Sequence, residues 1–194
     1  MARRGERAAP GGARGRMFVA LDLPEPARGE LATWRDELTA DRGDLRPVRP
    51  EALHVTLAFL DWQDEAAMGR IAETAFGAAA EIGPALLRAG EVKPIPPRDP
   101  RLFALDLEDE GGRCGEIQEA VSSALAARRF YRPEKRPFWP HMTLARVKRG
   151  ARAEPLGEPA TPPPGPFEAS ELTLYRSTLR PQGALYEALA RTEL

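Results

Sequence analysis

Two stretches decide how this chain is read: LHVTLAFL at residues 53–60 and PHMTLARV at 140–147. Each carries His, one free position, then Thr-Leu-Ala, and these are the only two histidines among 194 residues. Both runs are short and apolar, which predicts strands. Alternation along a strand puts His54 and Thr56 on one face, with Leu53, Val55, Leu57 and Phe59 on the other. In the second run His141 and Thr143 share a face opposite Met142 and Leu144. Each strand thus presents an imidazole beside a hydroxyl, on an apolar back that can anchor it.

Working outward, Ala-Leu-Asp-Leu occurs at 20–23 and again at 104–107, each time ending an apolar run. From its first Ala to the following His is 34 residues in one half and 37 in the other. Two matched anchors at near-equal spacing argue for an internal duplication. Around them the pattern predicts strands at 17–23, 53–60, 85–93, 101–108, 140–147, 168–176 and 184–191. Helices are predicted over 24–40, with Leu31, Trp34 and Leu38 at helical spacing, from an Asp64 cap to about residue 81, and over 113–129. Residues 41–50 read as turns, 93–101 as a loop with four prolines, and 155–166 as a surface loop with six.

The length suits one domain, and 42% hydrophobic residues supply a core without staples. No apolar run approaches the ~20 residues needed to cross a bilayer. Cys114 stands alone, so no internal disulfide forms and the reducing cytoplasm is the expected compartment. One Cys and two His are too few for a zinc site of the usual Cys/His kind, so no metal and no cofactor are expected. A net charge of −1 hides an uneven distribution: residues 1–16 carry +4 and residues 128–149 carry +7. The first sixteen, Gly-, Arg- and Ala-rich, are expected to be a disordered basic tail before a single domain at 17–194. The second block reads either as solvated surface or as the footprint of a polyanion.

Two imidazoles across one cleft suit in-line displacement at phosphorus. A ring titrating near pH ~6.5 can accept a proton while its partner donates one. The Thr hydroxyls can donate to the non-bridging oxygens. His54, His141, Thr56 and Thr143 are therefore the candidate catalytic set. Arg146 could clamp the phosphate, but strict alternation puts it on the Leu144 face unless a bulge intervenes. Arg132, Lys135, Arg136 and Trp139 are candidate substrate contacts, because basic and aromatic residues alternate there as in single-strand binders. The other reading makes Phe138 and Trp139 core residues that close the loop before the strand.

The chain resembles the 2H phosphoesterase superfamily, and within it the bacterial RNA 2′,3′-cyclic phosphodiesterase, or 2′-5′ RNA ligase, family. The residues that carry the likeness are MFVALDLP (17–24), LHVTLAFL (53–60), RPFWPHMTLAR (136–146) and LYRSTLRPQGALYEAL (174–189). The resemblance implies a bilobal α+β fold, pseudo-two-fold and duplicated, with two antiparallel sheets facing a central cleft and helices outside. It implies metal-independent hydrolysis of a terminal 2′,3′-cyclic phosphate to a 2′-phosphate. RNA ends or small cyclic nucleotides would be the partners, and a monomer is expected. By the same resemblance His54 would be the acid and His141 the base, although the two motifs are too alike for the sequence to orient them. Ligation of RNA through a 2′-5′ bond, by the reverse reaction, and non-catalytic RNA binding are the competing readings. The matched acid–base pair weighs against the last.

Overall fold

The computed structural model describes residues 13–154, 156–157, 161–180 and 183–194. In chain order the elements are β1 (Arg14–Asp22), α1 (Glu25–Thr39), β2 (Leu45–Pro47), β3 (His54–Asp64), α2 (Met68–Ala79) and β4 (Ala85–Ile95). They continue with β5 (Leu102–Glu110), α3 (Arg113–Ala127), β6 (His141–Val147), β7 (Phe167–Ala169), β8 (Glu171–Arg180) and β9 (Gly183–Glu193). The strands form two antiparallel sheets, ordered β3-β1-β8-β9 and β2-β6-β5-β4-β7.

The duplication is visible in that order. In each sheet the Ala-Leu-Asp-Leu strand, β1 or β5, lies between the His-x-Thr strand and a third strand. The third strand comes from the other half of the chain: β8 completes the sheet of β1, and β4 completes the sheet of β5. The α+β class, the two sheets about a cleft and the helices outside are as the resemblance implies.

The central strands β1 and β5 are buried on both faces, and alternation divides their side chains between two sides. Met17, Val19 and Leu21 of β1 point back, with Val55 of β3 and Leu172 and Leu174 of β8, into one continuous core. That core also takes Leu105, Met142 and Leu144 of the second sheet, Leu31 and Trp34 of α1, Ile71 and Ala75 of α2, and Ile117, Val121 and Leu125 of α3. Leu21, Leu31, Ile71 and Leu105 are fully buried, each contributing about 1.5–3 kcal/mol relative to exposure. One large core thus spans both halves, and each sheet adds a small cluster of its own: Phe18, Ala20 and Tyr175 on the first, and Leu45, Phe103 and Ala145 on the second.

The helix ends are read from chemistry. Pro24 precedes α1, and Glu25 sits in its first turn, where a carboxylate favours the positive end of the helix dipole. The Asp109 carboxylate, at the end of β5, accepts from the backbone N–H of Cys114 at 3.1 Å and of Gly115 at 2.8 Å, satisfying orphan donors of α3. Asp64 accepts from Ala66 N–H, but it caps a short 3₁₀ turn at Glu65–Ala67, and α2 follows from Met68.

Several expectations need correction. β1 begins at Arg14, so residues 14–16 pair with β3 and do not belong to a tail; residues 1–12 lie outside the described residues. The turn-rich 41–50 contains β2, too short to show periodicity, which pairs with β6. The loop at 93–101 is shorter than expected, since β4 runs on to Ile95. The single strand expected at 168–176 is two strands in different sheets, β7 on β4 and β8 on β1, with the chain switching sheets at Ser170.

Candidate active site

Both His-x-Thr strands meet their Ala-Leu-Asp-Leu partners in one register. Asp22 lies opposite His54 and Ala20 opposite Thr56; Asp106 lies opposite His141 and Ala104 opposite Thr143. Directly paired residues point to the same side of a sheet, so each imidazole stands beside a carboxylate on the cleft face.

Both ladders then slip by one residue at the same place. Val19 pairs with Ala58 and Ala20 with Thr56, which leaves Leu57 as an extra residue. Phe103 pairs with Ala145 and Ala104 with Thr143, which leaves Leu144 extra. A bulge of this kind resets the alternation. It turns Phe59 and Arg146 towards the side of His54 and His141, against the strict alternation expected of both. The consequence is one small cavity, about 50 Å³, lined by His54, Thr56, His141, Thr143, Arg146 and Phe59, with Tyr186 on its wall. The five residues expected to act on phosphate are thus brought together.

The two rings are held differently. His54 Nε2 lies 3.1 Å from Thr56 Oγ1, and the ring also bonds the Ala52 backbone. Phe18 lies 4.9 Å from it, centroid to centroid, and Tyr186 meets it edge-on at 5.3 Å. Burial in this aromatic cup pushes the ring pKa down to about 4, against the pull of Asp22 and of the Ala52 bond. Asp22 is itself buried and accepts from Thr173 Oγ1 at 2.7 Å and from the Tyr175 hydroxyl at 2.8 and 2.9 Å. Burial, and then the charge of Asp22, push the Tyr175 phenol up.

His141 lies flat against the Trp139 indole, with centroids 4.3 Å apart and planes at 12°. Its Nδ1 is 2.7 Å from the Trp139 carbonyl oxygen, which can only accept. Nδ1 therefore carries hydrogen, and Nε2 is the nitrogen left for proton exchange. Trp139 donates through Nε1 to Asp106, whose other oxygen takes Lys93 Nζ at 2.5 Å. Partial burial works against ionisation of Asp106, but the bonds from Lys93 and Trp139 hold its carboxyl below the usual range.

The remaining candidates separate. Arg136 and Trp139 line a larger cleft of about 400 Å³ that opens from Thr56, Phe59 and His141. Arg132 lies in a neighbouring recess with Phe130 and Tyr131, and Lys135 is exposed and lines neither. Trp139 does more than the interleaved pattern suggested, since it braces His141 and Asp106. The residues that sequence reasoning passed over are Asp22, Asp106 and Tyr186. The aspartates were in plain view as the third letter of the repeated Ala-Leu-Asp-Leu; Tyr186 carried no periodic or spacing signal. Among the described residues, no group of three or more His, Cys, Asp or Glu is placed to hold a metal ion. No described helix is long and apolar enough to cross a membrane.

Residues 23–180 match the family model described as the 2′-5′ RNA ligase superfamily. An Aeropyrum pernix protein named RNA 2′,3′-cyclic phosphodiesterase is 32% identical over 166 residues, covering 83% of this chain and 93% of that one. An Escherichia coli protein of the same name is 31% identical over 193 residues, covering 92% and 96%. Among solved structures, a Thermus thermophilus protein superposes with a TM-score of 0.75 at 27% identity, covering 92% of this chain and 97% of that one. E. coli LigT complexed with 3′-AMP gives 0.70 at 26%, covering 94% and 99%.

Proposed function

This chain belongs to the 2′-5′ RNA ligase superfamily, and from that premise we propose that it hydrolyses a terminal 2′,3′-cyclic phosphate of RNA to a 2′-phosphate. The observation that carries the reading is the cavity in which two His-x-Thr pairs, set in one register by matching bulges, converge with Arg146. The names of the relatives support it.

In the proposed step a water oxygen attacks phosphorus and loses its proton to one imidazole. The bond from phosphorus to the ribose 3′ oxygen breaks, and that oxygen takes a proton from the other imidazole on the opposite side. The hydroxyls of Thr56 and Thr143 and the Arg146 guanidinium donate to the non-bridging oxygens, where negative charge sits throughout the transfer. We assign the acid to His54 and the base to His141, as the resemblance implies. Burial keeps His54 neutral at neutral pH while the cavity is empty. The substrate's own negative charge, placed beside the ring, favours its protonated form, so His54 takes up its proton as the phosphate arrives.

The test is turnover of an oligonucleotide ending in a 2′,3′-cyclic phosphate, in the presence of EDTA, with the product isomer identified. A 2′-phosphate product, formed at the same rate with and without chelator, is expected. Loss of activity in EDTA, restored by a divalent ion, would overturn the metal-free reaction. Adding RNA with a 5′-hydroxyl reports on the reverse, strand-joining reaction at the same site.

A further inference from the structure

A second recess, about 120 Å³, adjoins the histidine cavity and shares Val48, Ala52, Arg146 and Tyr186 with it. Its walls bring in two further arginines, Arg46 and Arg49, and among the described residues no carboxylate lines it. Arg46 of β2 lies directly opposite Arg146 of β6. Directly opposed residues point to the same side of a sheet, so Arg46 and Arg146 stand side by side on the wall of this recess. Arg49 pairs with Glu51 at 3.3 Å, but both side chains are more than half exposed, a rim contact of little energy.

Arg46 rests against Gly183, the first residue of β9. Gly183 has a φ of +124°, and a Cβ there would lie 3.6 Å from the Arg46 Cζ, so the guanidinium rests against a backbone that only glycine supplies easily. A planar guanidinium set in this way presents paired donors that match phosphate oxygens. Arg146 lines both recesses, so one side chain can touch the reacting phosphate and the group next to it.

We infer that Arg46, Arg49 and Arg146 form a second phosphate subsite, which takes the phosphate on the 5′ oxygen of the terminal nucleoside. This rests on the proposed reaction for its terminal nucleotide, and it makes the preferred substrate a strand end with at least two phosphates. Two sources share that chemistry, the phosphodiester that links the preceding nucleotide and a free 5′-phosphate.

The experiment measures dissociation constants of three products for the wild-type chain, Arg46→Gln and Arg49→Gln. The products are adenosine 2′-phosphate, its 5′-phosphorylated form, and a diadenylate ending in a 2′-phosphate. The second phosphate is expected to tighten binding by about tenfold at low salt in the wild type, the scale of a charge-assisted contact. Each variant should cut that gain below about threefold. A gain in the diadenylate alone assigns the subsite to the linking phosphodiester; a gain in both assigns it to the phosphate itself. No gain in the wild type, or the same gain in both variants, overturns the inference. Arg49 is exposed outside the strands, so its replacement keeps the test readable if Arg46→Gln weakens β2. Turnover of the matching cyclic phosphates is followed in parallel. A gain that depends on the arginines, without turnover, would leave the subsite standing and overturn the proposed reaction.

Discussion

His54 and His141 face Asp22 and Asp106 at the same register, beside the same bulge, yet their surroundings have diverged. The first ring is enclosed by Phe18 and Tyr186, over an aspartate that is 2% exposed and bonded to two buried hydroxyls. The second lies on a single indole, and its aspartate pairs with a lysine at the rim. After the bulge one strand offers Phe59 and the other Arg146. Backbone pairing thus fixes where the two imidazoles stand, and the neighbours decide how each is held and, for His54, how readily it takes a proton.

The strongest way to break this comparison is to remove the rings. His54→Ala and His141→Ala should each lower turnover of a 2′,3′-cyclic mononucleotide by about 10²–10⁴-fold. The double variant should lose less than the product of the two, because both rings act on one transition state. A p-nitrophenyl phosphodiester, whose leaving group needs no proton, separates the roles. His54→Ala should keep most of its activity on that ester, and His141→Ala should not. The opposite pattern would exchange acid and base.

Next in size is the contrast between the two aspartates. Asp22→Ala leaves the Tyr175 and Thr173 hydroxyls buried without their acceptor and should cost about 2–4 kcal/mol of stability. Asp106→Ala removes an ion pair whose lysine is 42% exposed, together with the part-buried bond from Trp139 Nε1, and should cost less, about 1 kcal/mol. Denaturant unfolding of both variants checks the order, and equal losses would contradict the structural asymmetry.

A smaller effect sharpens the electrostatic side. With His54 at about 4 in the folded chain and about 6.5 unfolded, the unfolded state binds more protons between those values. The contribution of neutral His54 is therefore complete above pH ~6.5 and is lost as pH falls towards 4. The melting temperature of the wild type should fall more steeply across that window than that of His54→Gln. The acid limb of kcat/KM should lie near pH 4 and move upward in Tyr186→Ala, which lets water reach the ring.

The smallest effect concerns the basic segment. Arg136→Ala, at the cleft wall, should weaken binding of a single-stranded oligonucleotide and reduce its salt slope by about 0.7. Lys135→Ala, which lines neither recess, should leave the slope unchanged.

The histidine pair was legible because two five-residue motifs repeat in a chain with no other histidine. Arg146 was legible in kind but not in orientation. Leu57 and Leu144 are ordinary strand residues, and nothing in their identity announces that the ladder slips there. Arg46 escaped because β2 is three residues long, stabilised by its pairing to β6, and lies in a run with prolines. Residues 168–176 read as one strand because the chain changes sheets at Ser170 without a glycine or proline to mark it. Local periodicity reports which side a residue faces, whereas these features depend on partners far away in the chain.

The exchange of third strands has a consequence for how the molecule is put together. Cutting the chain in the loop between β4 and β5 would give two fragments that each own a histidine. The first fragment would carry β1 and β3 but lack β8, and the second would carry β5 and β6 but lack β4. Each would expose the edge from which its missing neighbour had been taken, with half a core behind it. Such fragments should be unfolded alone and recover the cleft only on mixing. Two copies of an ancestral half, trading that strand between separate chains, would close the same pair of sheets.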